Sequence, residues 1–231
     1  MKLKKPQVIL TDIEGTTTAI TFVADELFPY FRANINDLLD LKSNPIVKEA
    51  FESTVELALS EDNQTIQSDE EICATLHRWS VEDRKITPLK TVQGVLWEKG
   101  YKDGVLKGHV YQDVAPTLTN WKNNDITLAV FSSGSIAAQK LLFGYSTEGD
   151  LTPLFSAYFD TTTGGKKETS TYSKIAQQLA IEPQDILFLS DIPAELIAAK
   201  DAGFQTIQLV RPGTIKAWEN AVATFDQIQF I

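Results

Sequence analysis

The sequence alternates short apolar runs with stretches of helical spacing, and this alternation constrains the fold more than any other feature. The runs have the length of strands, and from the second run onward a stretch of helical spacing lies between successive runs. A strand, helix, strand order predicts a parallel sheet, because parallel neighbours need a long crossover connection. We therefore expect an α/β fold built on five runs, which are Val8–Leu10, Ile126–Phe131, Ala157–Phe159, Ile186–Leu189 and Thr206–Val210.

The long stretch between the first two runs shows helical spacing and no convincing strand. Its helical patterns cover Phe22–Leu41, Pro45–Leu59, Asp69–Asp83 and Leu89–Lys99. Pro29 should bend or split the first of them, because proline removes a backbone donor and clashes with the preceding turn. With 231 residues the chain has room for an insertion. We expect an α/β core made of residues 1–17 and 113–231, with an all-helical domain inserted at residues 18–112.

Composition excludes several classes of function. The net charge of −10 opposes nucleic acids and anionic membranes, and no apolar stretch has the length of a membrane span. The first apolar run reaches Asp12 too soon to be the core of a signal peptide. A single cysteine, Cys73, can form no disulfide within the chain. These observations favour a cytoplasmic protein that binds neither nucleic acid nor membrane.

Chemically useful side chains follow four of the five runs. In an open parallel sheet, ligands bind beyond the carboxyl ends of the strands, so these residues should share one rim. Taken singly, each has a structural interpretation as a cap, a turn residue or a solvated surface group. Together they supply carboxylates, hydroxyl donors and a cation, namely Asp12 and Glu14, Ser132 and Ser133, Lys166 and Lys167, and Asp191.

This inventory suits phosphoryl transfer through an aspartate. Such a reaction needs in-line attack on phosphorus, neutralisation of the phosphate oxygens, and a proton for the leaving oxygen. We expect Asp12 to attack, and Glu14, two residues later, to protonate the leaving oxygen and then activate water. Mg²⁺ would supply much of the neutralisation, and Asp12 and Asp191 are suitable oxygen ligands from neighbouring strand ends.

The segments around these residues resemble the ordered motifs of the haloacid dehalogenase superfamily. They read DIEGT, FSSGS, the region of Lys166, and LSD. Longer stretches, including SSGSIAAQKLLFGYSTEGDL and YFDTTTGGKKETSTY, are similar to the acireductone-forming enolase-phosphatases of methionine salvage, and the similarity runs nearly end to end. The resemblance implies a Rossmann-like three-layer core with a helical cap inserted after the first motif.

The resemblance also implies a reaction and a set of site residues. The reaction is the enolisation and dephosphorylation of 2,3-diketo-5-methylthiopentyl-1-phosphate to 1,2-dihydroxy-3-keto-5-methylthiopentene and phosphate, with one Mg²⁺ per chain and a monomeric enzyme. By motif position the metal ligands are Asp12, the backbone carbonyl of Glu14, and Asp191, and the phosphate-bearing substrate meets Ser132, Ser133 and Lys166. The distance from Asp160 favours Lys166 over its neighbour Lys167, which remains the alternative.

Some assignments stay open at this point. Family members often carry lysine where this chain has Ala24, so no role is transferred there. Phe22, Trp97, Tyr101 and Tyr111 are candidates for contact with the methylthio end, although aromatic residues at helical spacing more often belong to a core.

Rival functions start from the same fold. One is a phosphatase for a different small phosphate ester, and another is a non-catalytic binding protein. A dehalogenase is disfavoured, because halide departure needs no acid such as Glu14. A serine hydrolase is disfavoured because no G-x-S-x-G elbow surrounds Ser132, and His77 and His109 lie outside the motifs.

Overall fold

A six-stranded parallel sheet forms the centre of the α/β part of the protein. The protein is described by a computed structural model that covers residues 2–231. The spatial order of the strands is β4-β3-β2-β5-β6-β7, and every neighbouring pair is parallel. The strands are β2 (Val8–Thr11), β3 (Thr127–Phe131), β4 (Ala157–Phe159), β5 (Ile186–Ser190), β6 (Gln205–Leu209) and β7 (Ala221–Val222).

The strand order places the topological switch point at β2. From β2 the chain adds β3 and β4 on one side and then returns to add β5, β6 and β7 on the other side. Thr11 at the end of β2 is in register with Val130 of β3 and with Leu189 of β5. Ligands of open α/β sheets bind beyond the carboxyl ends of the strands at such a point. The residues that follow Thr11 therefore occupy the favoured position for a site.

Helices connect the strands of the sheet and cover its apolar residues. They are α6 (Val114–Asn123), α7 (Ile136–Gly144), α8 (Thr169–Leu179) and α9 (Pro193–Asp201). One buried cluster joins alternate residues of the strands, such as Leu10 and Phe188, to Tyr172 of α8 and Leu196 of α9. The intervening strand residues, such as Ile9, are also buried, so the sheet is apolar on both faces, as expected for parallel strands. The predicted α/β class is confirmed.

Two very short strands lie outside this sheet. Lys2–Leu3 (β1) pairs in parallel with Gln229–Phe230 (β8). Phe225 stacks on Trp121 of α6, with 5.3 Å between the ring centroids, and this contact fixes the C-terminal segment beside the core. Neither two-residue strand was predicted, because two residues carry no periodic pattern.

The residues between β2 and α6 are mainly helical. The longer helices are α3 (Pro45–Asp62), α4 (Asp69–Val81) and α5 (Thr87–Lys102). Before them, the helical pattern over Phe22–Leu41, which Pro29 was expected to bend or split, is divided into a π-helical turn at Val23–Leu27, α1 (Phe28–Ala33) and α2 (Asp37–Asp40). Pro29 lies in the first turn of α1. Proline is accommodated at this position because the first turn of a helix needs no donor from it.

A buried cluster of its own holds these helices together. Its members include Leu38 of α2, Val47 of α3, Leu76 and Trp79 of α4, and Leu96 of α5, all of them fully buried. The chain therefore divides into two compact units with separate cores. One comprises the residues up to Phe22 together with Lys107–Ile231, and the other comprises Val23–Leu106. In the described part of the chain, no helix is long and apolar enough to cross a membrane.

Asp62 joins the end of α3 to α4 and to the segment after it. Its carboxylate accepts hydrogen bonds from Arg78 at 2.6 Å, from Trp79 Nε1 at 2.7 Å and from Arg84 at 2.9 Å. The hydrogen bonds from Arg78 and Trp79 lower the pKa of Asp62 to about 2. The folded state therefore favours the deprotonated carboxyl group more strongly than the unfolded state does.

We expect Asp62→Asn to destabilise the helical unit at neutral pH and to lose this effect in acid. The pKa of Asp62 is depressed in the folded state, so its contribution is complete above the unfolded pKa of about 4 and disappears as pH falls through about 2. Urea unfolding of both proteins between pH 7 and pH 2 measures the difference. A stability difference that stays constant below pH 4 would contradict this role.

Candidate active site

The loop that follows β2 is a tight turn organised around one carbonyl oxygen. The backbone N–H groups of Thr16, Thr17 and Thr18 all donate to Ile13 O, at 3.1, 2.9 and 2.9 Å. Gly15 has φ +71°, and its N–H donates to Thr18 O at 2.8 Å. All three threonines are fully buried, whereas Glu14 is exposed. The turn therefore fixes the backbone around Glu14 and leaves the Glu14 side chain accessible.

Asp12 lies directly after β2 and is almost completely buried. Its Oδ1 accepts a hydrogen bond from Ile13 N–H at 2.7 Å and lies 2.7 Å from Nζ of Lys166. Its own N–H donates to Leu189 O of β5, which continues the ladder of the sheet by one residue. The backbone and the carboxylate of Asp12 are thus both held in place.

Lys166 is the buried cation of the site, and it bridges two carboxylates. Its Nζ lies 2.7 Å from Asp12 Oδ1 and 2.8 Å from Glu195 Oε2, and only 8% of the side chain is exposed. Burial alone would lower the pKa of Lys166, but the two carboxylates outweigh burial and raise it. The ammonium group therefore stays charged. The neighbouring Lys167 is exposed, so of the two lysines the structure brings Lys166 to Asp12.

Glu195 is a site residue that sequence reasoning missed. It lies in the first turn of α9, is 6% exposed, and accepts a hydrogen bond from Ser190 Oγ at 2.9 Å. Burial and the charge of Asp12 raise the pKa of Glu195 above its ordinary value, although Lys166 opposes the shift. An acid in the first helical turn resembles an ordinary partner of the helix dipole. Its position four residues after Asp191 is the signal that could have revealed it.

Asp191 follows β5, and one of its carboxylate oxygens accepts no hydrogen bond from the described residues. The side chain is buried, and among the described residues nothing donates a hydrogen bond to its Oδ1. Burial and the charge of Asp12 raise the pKa of Asp191 to about 6. The other oxygen, Oδ2, packs so closely against Gly15 that a Cβ built on that glycine would lie 2.3 Å away. Asp191 is therefore pressed against the Asp12 loop.

This carboxylate pair fits the requirements of a Mg²⁺ site. A buried carboxylate oxygen without a partner is costly unless something compensates it, and a divalent cation would also relieve the repulsion between Asp12 and Asp191. Mg²⁺ is typically held by one or two carboxylates with water and phosphate oxygens. No cluster of three or more His, Cys, Asp or Glu side chains suited to a metal occurs within residues 2–231. The expected set differs from such a cluster, because its third protein ligand is the backbone carbonyl of Glu14.

Ser132 and Ser133 follow β3 on the neighbouring strand end. Ser132 is 5% exposed, and its Oγ accepts from Gly134 N–H at 3.2 Å, whereas Ser133 is exposed. Buried Gln139 of α7 braces this loop by donating to Gly134 O, and to Phe159 O at the end of β4, both at 2.8 Å. The two hydroxyl groups therefore lie on the same rim as Asp12, beside the N-terminus of α7, where anions are favoured.

A hydrogen bond from a buried tyrosine of the core holds the backbone of Lys166. Tyr172 of α8 donates its hydroxyl to Lys166 O at 2.6 Å, and its ring contacts Phe131, Phe188 and Phe204. Burial raises the pKa of Tyr172, so the hydroxyl remains a donor. The main chain of Lys166 is thereby anchored to the buried core of the α/β unit.

Arg211 ties the Asp12 loop to the end of the sheet. Its Nε donates to Thr16 O at 2.9 Å, and its two terminal nitrogens bind both carboxylate oxygens of Asp113, at 2.8 and 2.9 Å. The guanidinium lies 4.2 Å from the ring centroid of Tyr111 and 5.3 Å from that of Phe225. Burial would raise the pKa of Asp113, but the hydrogen bonds from Arg211 and the Phe225 N–H hold it below its ordinary value.

Among the remaining candidates from sequence, His109 and the aromatic residues make internal contacts, whereas His77 is exposed. His109 Nδ1 accepts from Ala19 N–H at 3.1 Å, and the ring contacts Phe22 and Tyr111. In the helical unit, Tyr101 is 2% exposed and Trp97 Nε1 donates to Leu27 O at 2.9 Å. His77, on α4, belongs to the helical unit and not to the unit that contains Asp12.

We expect Gly15→Ala to lower activity by about 10²-fold, the order of loss that a 1 Å misplacement of a reacting group produces. The new methyl group would displace the Asp191 carboxylate, and the positive φ adds strain. Gly104→Ala is the matched control, because Gly104 has φ +73° and a methyl group added there would meet no atom within 4 Å. Steady-state kinetics of both variants separate displacement of Asp191 from backbone strain. Equal activity losses in the two variants would contradict the role of Gly15.

The chain is similar to known proteins over most of its length. A family model for haloacid dehalogenase-like hydrolases matches residues 6–203. "Enolase-phosphatase E1" of Picosynechococcus sp. is 52% identical over 208 residues, which cover 90% of this chain and 91% of the relative. The protein of the same name from Methylococcus capsulatus is 48% identical over 224 residues, covering 96% and 97%. The crystal structure of the UTR4 protein from Saccharomyces cerevisiae is 32% identical, has a TM-score of 0.80, and is matched over 97% of this chain and 100% of that chain.

Proposed function

The chain belongs to the enolase-phosphatases among the haloacid dehalogenase-like hydrolases, and on this premise we propose the reaction that it catalyses. The substrate is 2,3-diketo-5-methylthiopentyl-1-phosphate, and the products are 1,2-dihydroxy-3-keto-5-methylthiopentene and phosphate, a step of methionine salvage. The observation that carries the proposal is the buried Asp12, held by Lys166 directly beyond the central strand. The sequence identity of 52% and 48% with two enolase-phosphatases, over most of the chain, supports this assignment of the substrate.

Asp12 is the proposed nucleophile. Its carboxylate attacks phosphorus in line with the departing oxygen, and the product of this step is an aspartyl-phosphate on the enzyme. The hydrogen bond from Ile13 N–H and the ion pair with Lys166 orient the carboxylate before substrate arrives. Such pre-organisation removes part of the entropic barrier to attack.

Glu14 is the proposed acid and base. Its exposed side chain extends from the turn two residues after the nucleophile, so it can reach the substrate side of the loop. It donates a proton to the leaving oxygen in the first step and removes a proton from the attacking water in the second. The backbone hydrogen bonds to Ile13 O fix the turn that carries Glu14, and so they keep its side chain close to Asp12.

Lys166, Ser132 and Ser133 bind the phosphate-bearing part of the substrate in this proposal. The ammonium group is already charged and desolvated, so it can stabilise additional negative charge strongly. The serine loop contributes hydroxyl groups beside the N-terminus of α7. These groups act on oxygens of the phosphate and do not take part in covalent chemistry.

Asp12, the backbone carbonyl of Glu14, and Asp191 would hold one Mg²⁺. When bound, the cation neutralises charge on the phosphate and on the two carboxylates. The unpartnered Oδ1 of Asp191 supports this assignment. We also propose that the helical unit is the cap domain of the fold, and that the enzyme is a cytoplasmic monomer, as the family resemblance and the single buried cysteine suggest.

The test measures phosphate release and the absorbance of the enediol product from the diketo ester, with and without Mg²⁺. A panel of sugar phosphates under the same conditions serves as the comparison. The proposal predicts Mg²⁺-dependent release of phosphate together with the enediol signal, and much slower release from the panel. Phosphate release from generic esters without turnover of the diketo ester would favour a different small-ester phosphatase.

A further inference from the structure

A fully buried glutamine at the carboxyl end of β6 has no role in the proposed chemistry. Gln208 has 0% exposed surface, and its amide group makes three hydrogen bonds. Nε2 donates to Asp191 O and to Ile215 O, both at 3.0 Å, and Oε1 accepts from Ala217 N–H at 2.9 Å. Both amide protons are therefore used, and each of them holds a backbone carbonyl outside β6.

Gln208 contacts Asp191 through the main-chain carbonyl and makes no hydrogen bond to the carboxylate. On the carboxylate itself, nothing in residues 2–231 donates to Oδ1, and Oδ2 packs against Gly15. The direction of the carboxylate is consequently set by the backbone of Asp191. That backbone leaves β5 one residue after Ser190, which is in register with Gln208. The amide of Gln208 thus holds the carbonyl of Asp191 at the point where the chain turns away from the sheet, while Ser190 Oγ accepts from Ile192 N–H at 3.1 Å on the other side of Asp191.

The same amide couples Asp191 to the segment that follows β6. Ile215 and Ala217 receive the other two hydrogen bonds, and the side chain of Ile215 is 83% exposed. If the amide is removed, Asp191 O loses its partner at a buried position, and Ile215 O and Ala217 N–H, whose residues are exposed, lose theirs at a part-buried one. Unsatisfied groups of this kind are costly, so the two segments would move to find other partners.

We propose that Gln208 is a positioning residue for the divalent cation, because it fixes the backbone of the ligand Asp191. The inference rests on the proposed function in one respect, the assignment of Asp191 to Mg²⁺. Residues that orient a metal ligand from outside the coordination sphere typically change metal affinity by about 10–100-fold when they are replaced. Gln208 makes no hydrogen bond to Asp12 or Lys166, so its effect on the site passes through Asp191.

The experiment measures the dissociation constant of Mg²⁺ by calorimetry on the full chain without substrate. Gln208→Met keeps the length of the side chain and removes its hydrogen bonds, and we expect Mg²⁺ binding to weaken by about 10–100-fold. Gln205→Met is the matched control on the same strand, because Gln205 Nε2 also donates to a backbone carbonyl, that of Gln184, at the opposite end of β6. We expect the control to bind Mg²⁺ as the wild type does.

A folding control and a second variant ensure that a loss of Mg²⁺ binding is not caused by unfolding. Melting curves in the absence of Mg²⁺ establish that each variant is folded at the temperature of the titration. If Gln208→Met is not folded, Gln208→Glu replaces it, since this variant has the same shape and turns an oxygen toward two carbonyl oxygens. An added negative charge alone would tighten Mg²⁺ binding, whereas lost positioning weakens it.

The inference is overturned if a folded Gln208 variant has a Mg²⁺ dissociation constant that is unchanged or lower than that of the wild type. It is also overturned if Mg²⁺ binding weakens equally in the Gln205→Met control. The result is independent of the substrate assignment. Wild-type protein that binds Mg²⁺ but hydrolyses only other phosphate esters would refute the proposed substrate and leave the role of Gln208 intact.

Discussion

Asp12→Asn should lower Mg²⁺-dependent phosphate release by about 10⁴-fold or more, the scale seen when a catalytic nucleophile is removed. The amide that replaces the carboxylate is a poor nucleophile, and it cannot carry the negative charge that Lys166 and Mg²⁺ stabilise. Rates are measured as kcat in steady state, with the diketo ester and saturating Mg²⁺. Asp201→Asn is the control, because Asp201 is exposed at the end of α9 and the same chemical change there should leave kcat unaltered.

The same variant should remain folded, which makes its kinetic effect interpretable. Lys166 retains Glu195 as a partner at 2.8 Å, and the repulsion between Asp12 and Asp191 disappears. We therefore expect a melting temperature, measured without Mg²⁺, that is no lower than that of the wild type. A folded Asp12→Asn protein with near wild-type kcat would show that Asp12 is not the nucleophile.

Lys166→Met should be the most destabilising single change in the site, and it should also lower kcat. Removing one partner from a buried ion pair typically costs about 3–5 kcal/mol, because the remaining charges stay buried without compensation. Asp12 and Glu195 would both lose the ammonium group that bridges them. Urea unfolding at neutral pH in the presence of a chelator measures the loss of stability. Loss of the charge that faces the phosphate should also lower kcat by about 10²–10³-fold.

A double variant separates the two effects of Lys166. Glu195→Gln combined with Lys166→Met removes one of the two uncompensated carboxylates and leaves Asp12, so stability should be partly recovered while kcat stays low. Lys167→Met is the control, because Lys167 is exposed and its removal should change neither quantity. If the double variant recovered kcat along with stability, Lys166 would have a structural role only.

The rim of the sheet could be predicted from sequence because its residues obey local rules. Strand-length apolar runs identified β2 to β6 to within one residue, and the rule for open parallel sheets then pointed to Asp12, to Asp191 and to the pair Lys166 and Lys167. The family resemblance favoured Lys166 within that pair. The structure brings Asp12 and Lys166 into contact and presses Asp191 against the Asp12 loop. Their catalytic and metal-binding roles remain predictions.

The supporting residues could not be predicted, because their roles depend on packing between distant segments. Glu195 lies on a helix, where an acid in the first turn has an ordinary explanation, and only the fold turns it toward Lys166. Gln208 and Arg211 come from β6 and the segment after it, yet they hold Asp191 and Thr16, and Thr16 is 195 positions away from Arg211. No local pattern encodes such a contact.

The helical unit was recognisable as helical, but its first segment was not predictable in detail. The spacing of apolar residues in Phe22–Leu41 is compatible with one helix, and Pro29 signals an interruption without stating its form. The π-helical turn at Val23–Leu27 depends on tertiary packing, since nothing in its sequence distinguishes it from an α-helical turn. The boundary at Phe22 likewise follows from the contact of its ring with His109.

The most direct test of the account is to locate the phosphoryl group during turnover. Glu14→Gln should slow both formation and hydrolysis of the aspartyl-phosphate, and hydrolysis more, because water needs a base to attack whereas the enediolate leaving group is already stabilised. The intermediate should then accumulate during extended mixing with the diketo ester and Mg²⁺ before an acid quench. Peptide mass spectrometry should then find one phosphoryl group on Asp12. A phosphoryl group on Ser132 or Glu195, or phosphate release at the wild-type rate with no phosphorylated peptide, would contradict the assignment of Asp12 as the nucleophile.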